Sequence, residues 1–165
     1  MPKKALPTII FLLIFLCSCK ESVDFTPTLR QIEFTVQTVW KDTNYLFSVV
    51  TDNELNATVT VQEPTAIEGL KMTFSPQTVK TEYRGIKNEL PLSAFDESSL
   101  FAVVYSILLQ TDKSQNKIER QEENILIPCE ITGTDYRIYF SETGLPLKIE
   151  SPDTTILFKG ISILN

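Results

Sequence analysis

The sequence predicts an α+β domain in which a long antiparallel sheet packs on one main apolar helix. Three observations point there. Apolar and polar residues alternate at period two through most of the chain, turn residues separate the alternating runs, and the pattern breaks once, for a stretch at helical spacing.

In chain order, Ile32, Phe34, Val36 and Trp40 alternate with Glu33, Thr35 and Gln37; Tyr45, Phe47 and Val49 follow an Asp42-Thr43-Asn44 turn. Beyond Thr51-Asp52-Asn53, Leu55, Ala57, Val59 and Val61 alternate with Asn56, Thr58, Thr60 and Gln62. Leu70, Met72 and Phe74 precede Ser75-Pro76, and Val79, Thr81 and Tyr83 follow it. Successive side chains of a strand point to opposite faces, so these runs are half-buried antiparallel strands.

The break is Pro91 to Lys113. Leu100, Phe101, Val104, Ile107 and Leu108 fall on one helical face, with Asp96 or Ser98 as the expected N-cap. Asp96 and Glu97 favour the positive helix start. Ala102, Val103, Tyr105 and Leu109 widen the stripe, and a helix apolar most of the way round is covered on more than one side. A helix lying in the mouth of a curved sheet meets that requirement; a helix capping one end of an ordinary sandwich is the alternative.

Ser114 to Asn124 is a polar break, after which strands resume: Ile125 to Thr132; Tyr136, Ile138 and Phe140; Leu147 and Ile149; Thr154 to Ile163. Hairpin signals join them at Thr132-Gly133-Thr134-Asp135, Glu142-Thr143-Gly144-Leu145-Pro146 and Ser151-Pro152-Asp153. Cys129 lies on the apolar side of Ile125-x-Ile127-x-Cys129-x-Ile131 and reads as a core residue.

The N-terminus carries a different message. Lys3 and Lys4 precede the apolar run Ile9 to Leu16, far short of the roughly 20 residues a membrane-spanning helix needs. That combination is a secretory signal. Leu16-Cys17-Ser18-Cys19 resembles the bacterial lipobox, which implies a diacylglyceryl (palmitate-type) modification of Cys19 and cleavage after Ser18. An ordinary signal with an incidental cysteine and a failed transmembrane anchor are the alternatives. A redox or metal pair is disfavoured, because C-x-C has no second pair and the chain has no histidine. Residues 1–18 thus read as a lipoprotein signal peptide, 19–30 as the lipidated Cys19 with a tether, and 31–165 as a single β-rich domain. The expected address is the cell membrane, lipid-anchored on its extracytoplasmic face. Lys20 is not the aspartate associated with inner-membrane retention, so in a Gram-negative host that means the outer membrane.

Cleavage would remove Lys3 and Lys4, leaving 13 basic against 21 acidic residues and a net charge of −8. Such a surface suits an exported protein and argues against nucleic acid or electrostatic hold on anionic lipid. Anchoring then rests on acyl chains, of which a single one binds only marginally. A monomer is expected.

Candidate chemistry is sparse. Without histidine there is no Ser-His-Asp triad, Cys-His dyad or imidazole metal site, and the five glycines are scattered singly. Asp96-Glu97 suits a helix start, Glu122-Glu123 a solvated loop, and Asp52-Asn53-Glu54 lacks the spacing of a calcium loop. The expectation is no catalysis, no metal and no cofactor.

Ile67-Glu68-Gly69-Leu70-Lys71-Met72-Thr73-Phe74, then Tyr83-Arg84-Gly85-Ile86, Leu90-Pro91, the apolar helix and Thr143-Gly144-Leu145-Pro146 before two last strands make a recognisable series. It resembles small lipid-anchored proteins of clostridial Gram-positive bacteria, themselves similar to the lipoprotein-carrier superfamily. The resemblance implies an incomplete β-barrel wrapped around helical structure; it carries over no functional residue. On that view the protein is a carrier-like module holding a lipid or other apolar ligand between its concave face and the helix. The candidate ligand face is Phe34, Trp40, Phe47, Phe74, Tyr83, Leu100, Val104, Ile107 and Leu108. The alternative is an envelope accessory or interaction protein with a filled core. An interior apolar cavity of roughly 300 Å³ or more would favour the carrier; normal core packing would favour the interaction protein.

Overall fold

The computed structural model describes residues 25–113, 118–121 and 123–164. The signal peptide, Cys17, Cys19 and Lys20 lie outside the described residues, as does part of the polar break after the helix.

Six strands come first: β1 (Ile32–Trp40), β2 (Thr43–Thr51), β3 (Ala57–Glu63), β4 (Lys71–Phe74), β5 (Thr78–Tyr83) and β6 (Ile86–Pro91). Helix α1 (Leu100–Lys113) follows, and then β7 (Glu119–Gln121), β8 (Asn124–Ile131), β9 (Thr134–Phe140), β10 (Pro146–Glu150) and β11 (Thr155–Ile163). All belong to one antiparallel sheet ordered β6-β5-β4-β3-β2-β1-β11-β10-β9-β8-β7. Each half is a meander, and the first and last strands pair in the middle, from Ile32 with Ile163 to Thr38 with Ile156. The two free edges, β6 and β7, are consecutive in the chain, and α1 lies in the connection between them. This is the curved sheet around a helix, not the capped sandwich: an open half-barrel.

Alternation places the core. In β1, Ile32, Phe34, Val36 and Thr38 point inward and are buried, while Glu33, Gln37 and Val39 are exposed. Thr38, the polar member of that row, donates its hydroxyl to the Thr155 carbonyl at 2.8 Å, so its burial leaves no orphaned group. Three irregularities bend the sheet. An extra residue, Gln62, shifts register between β2 and β3. On β11, Gly160 sits at φ +59 where the register against β1 slips, a left-handed conformation that costs a residue without Cβ least. The third bulge, at Pro146/Lys148 of β10, corrects an expectation: Leu147 and Ile149 do not share a face. The bulge turns Leu147 outward, 37 % exposed, while Ile149 is fully buried.

Other boundaries move as well. The β1–β2 turn is Lys41-Asp42, both at positive φ as a two-residue hairpin demands. The helix N-cap is Ser99 rather than Asp96 or Ser98: its hydroxyl accepts the Ala102 N–H at 3.3 Å. Asp96 instead accepts the N–H and hydroxyl of Ser98, closing a turn just before the cap. Strands β6 and β7 have no apolar alternation; six of the nine residues are charged or amide side chains, and hydrogen bonding to β5 and β8 alone defines them.

Candidate functional site

The concave face of the sheet and α1 enclose one continuous apolar cluster. Of the nine candidate residues, Phe34, Phe47, Phe74, Leu100, Val104, Ile107 and Leu108 are buried within it, each no more than 3 % exposed. Trp40 is partly buried against it. Tyr83 lies apart, half-buried at the far end of β5, donating its hydroxyl to the Ala66 carbonyl at 2.9 Å beneath the Arg84 guanidinium.

The aromatic side chains fill this interior by packing on one another. Phe47 meets Phe101 of the helix at 5.2 Å between centroids, nearly perpendicular, and Phe34 meets Phe158 edge-on at 5.0 Å. Phe74 is sandwiched between Phe95 at 5.4 Å and Tyr105 at 5.2 Å. These are the distances and tilts at which rings attract, so the aromatics act as core. At least five clefts of about 270–610 Å³ open on the surface of the described residues, and none of these five is lined by any of the nine candidates.

Among the described residues, one buried side-chain polar atom lacks a partner. Tyr105, 2 % exposed, carries a hydroxyl with no hydrogen-bond partner. Burial, and secondarily the negative charge of Asp52, push its phenol up to about 12. Cys129 is half-buried rather than fully enclosed, packed against the edge of the cluster, and burial raises its thiol to about 11. A thiol held protonated at neutral pH is a poor nucleophile.

The mouth of the half-barrel carries a groove of about 590 Å³ that sequence reasoning missed. Its floor is the outward strip of α1, Ala102, Ser106 and Gln110; Leu92 and Phe95 form one wall and Ile131 the other. The signal was there: within the apolar run Leu100–Leu109, Ala102 and Ser106 are the two smallest side chains and stand four apart, with Gln110 one turn further on. Gln110 crosses the groove to donate to the Glu130 carbonyl at 3.1 Å, tying helix to sheet.

On the convex face, Lys148 sits 4.3 Å over the Tyr139 ring and pairs with Glu150. Lys148 and then Tyr139 lower the Glu150 carboxyl by hydrogen bonding. Tyr139, Lys148 and Glu150 line none of the five clefts. Among the described residues no three Asp, Glu or Cys side chains converge as a metal site, and no helix is long and apolar enough to cross a membrane.

No family model and no curated protein matches this chain. Among solved structures, an uncharacterized conserved protein from Thermus thermophilus is similar with a TM-score of 0.53 at 12 % identity, over 83 % of this chain and 80 % of that one. A LolA superfamily protein from Nitrosomonas europaea is similar with a TM-score of 0.46 at 9 % identity, over 85 % of this chain and 89 % of that one. The first likeness shows a shared fold and nothing about activity; the second is too low to carry an argument.

Proposed function

We propose that this chain is a non-catalytic envelope protein, anchored through lipid on Cys19, that works by contact with a partner and not by enclosing a ligand. The filled interior carries this reading. The side chains that would line a lipid cavity are instead packed ring against ring around α1. The lipobox and the short apolar run support the anchor. The raised Cys129 thiol and the chain's lack of histidine support a role without catalysis.

A second reading, a carrier of an acyl chain or similar apolar ligand, is favoured by one observation. The Tyr105 hydroxyl is buried without a partner, and a ligand carbonyl entering the interior would satisfy it. Such entry requires α1 to swing away from the sheet.

Native mass spectrometry of the domain expressed without residues 1–18, with a fluorescent fatty-acid titration, separates the two. The contact reading expects no co-purified lipid and no saturable binding. Saturable binding that weakens in Phe74→Leu, a change that trims volume while keeping the site apolar, would establish the carrier instead. The anchor has its own test: Cys19→Ser should leave an unprocessed precursor and abolish fatty-acid labelling, and labelling that persists would refute it.

A further inference from the structure

The stretch read as part of a tether is fixed to the fold from Phe25 onward. The Phe25 ring lies 5.5 Å from that of Phe140, and Leu29 is buried in the core. The Thr28 N–H donates to the Gly144 carbonyl at 2.8 Å across the β9–β10 turn. Gly144 is at φ +84, and a Cβ there would stand 2.7 Å from the Thr26 carbonyl oxygen, so glycine is what lets the two segments touch. The Thr51 hydroxyl donates to the Leu29 carbonyl at 2.7 Å, and Arg30 reaches both Asp112 of α1 and the Asn53 carbonyl. Residues 25–30 therefore form a strap pinned to the β9–β10 turn, the β2–β3 turn and the end of α1.

The strap ends at one end of the half-barrel. Strand directions put the Asp52–Asn56 turn, the Ser141–Leu145 turn and the end of β11 at that end. The β1–β2 and β10–β11 turns lie at the other. Only Lys20 to Asp24 separate Cys19 from Phe25, and six fully extended steps span at most about 20 Å. A bilayer holding the Cys19 lipid must then lie close to the strap end. Charge does not favour that contact: the turns at that end carry Asp52, Glu54 and Glu142, while Arg30 and Arg120 are engaged with Asp112 and Glu142. We infer that the end bearing the strap and the Gly144 turn is the membrane-facing surface, set toward lipid by a short pinned tether and not by electrostatic attraction. This rests on the Cys19 anchor proposed above.

The test uses the processed, lipidated protein in phosphatidylcholine vesicles carrying a headgroup-bound energy-transfer acceptor. A donor dye is placed on Glu142→Cys or on Asp153→Cys, each in a Cys129→Ala background. These sites lie at opposite ends of β10, roughly 25 Å apart along the strand, and transfer should be at least about twofold higher from position 142. Adding anionic lipid should leave that contrast in place. Inserting a flexible Gly-Ser linker of about 15 residues between Asp24 and Phe25, which leaves the fold untouched, should erase it. Gly144→Val should weaken it by freeing the strap. Protein that floats with vesicles but transfers equally from both sites, or keeps the contrast with the linker inserted, overturns the orientation alone. Protein that fails to float overturns the anchor, and the membrane-facing surface with it.

Discussion

The Tyr105 ring lies tilted against the Phe74 ring, centroids 5.2 Å apart, and carries its hydroxyl into the core without a partner. The stacking contributes like any core aromatic contact, but an unpaired buried hydroxyl costs about 1–3 kcal/mol of desolvation. Tyr105→Phe should therefore stabilise the domain by about 1 kcal/mol and raise Tm by about 3 °C. Urea and thermal melts read this directly; a variant less stable than wild type would mean the hydroxyl is satisfied in solution.

Two groups that burial holds protonated contribute to the alkaline limit of stability. Burial raises Cys129 from 9.0 to about 11, and burial with the Asp52 charge raises Tyr105 from 10.0 to about 12. Below pH 9 both are protonated whether folded or unfolded, so neither affects the balance. Above it the unfolded chain loses these protons first, so stability falls between pH 9 and 11 through Cys129 and between 10 and 12 through Tyr105. Cys129→Ala should cost about 1 kcal/mol at pH 7 yet flatten the first part of that decline. In the native protein the thiol should react slowly at neutral pH and faster as pH approaches 11; rapid modification at pH 7 would contradict its environment.

What the sequence made legible follows from burial. Strand β1 is half-buried, so its alternation of Ile32, Phe34 and Val36 with Glu33 and Gln37 could be read directly. Strand β6 was invisible: from Ile86 to Pro91 every residue is exposed or half-exposed, because an edge strand outside the helix's cover has no inner face to write in apolar residues. Leu147 misled because a bulge, which pattern does not encode, breaks the period of two. Among candidate residues, periodicity found the seven that share the interior, three from the sheet and four from α1, but not that Tyr83 lies outside it. Whether converging side chains leave a cavity depends on their volumes and rotamers in three dimensions, which neither spacing nor composition records.

The helix start offers a local check. Ser99 caps α1 by accepting the Ala102 N–H, whereas Ser98 bonds only to Asp96 before the helix begins. Ser99→Ala should cost about 1 kcal/mol, and Ser98→Ala should stay within about 0.5 kcal/mol. Equal losses from the two in chemical denaturation would return the cap to the Asp96–Ser98 turn.

The acid limit should be governed in part by the turn at Asp52. Burial pushes its carboxyl up, but the Asn56 side-chain amide and the N–H groups of Asn56 and Glu54 outweigh that and hold it below its ordinary 3.8. The bonds are short, 2.7 Å from the Asn56 amide and 2.8 and 2.9 Å from the two N–H groups. They hold a turn that delivers Leu55 into the core, 2 % exposed, at φ +62, a left-handed backbone that a bulky side chain adopts only when held there. A carboxylate favoured in the folded state adds stability above pH 3.8 and loses it as pH falls through the lower folded value. The group is largely exposed, so solvent screening limits the gain. Asp52→Ala should cost about 0.5–1 kcal/mol at pH 7, and the gap from wild type should close as pH falls below about 4. Urea denaturation at pH 7 and pH 3 measures it; a gap that persists unchanged at pH 3 would show that the turn depends on the side chain's shape and not on its charge.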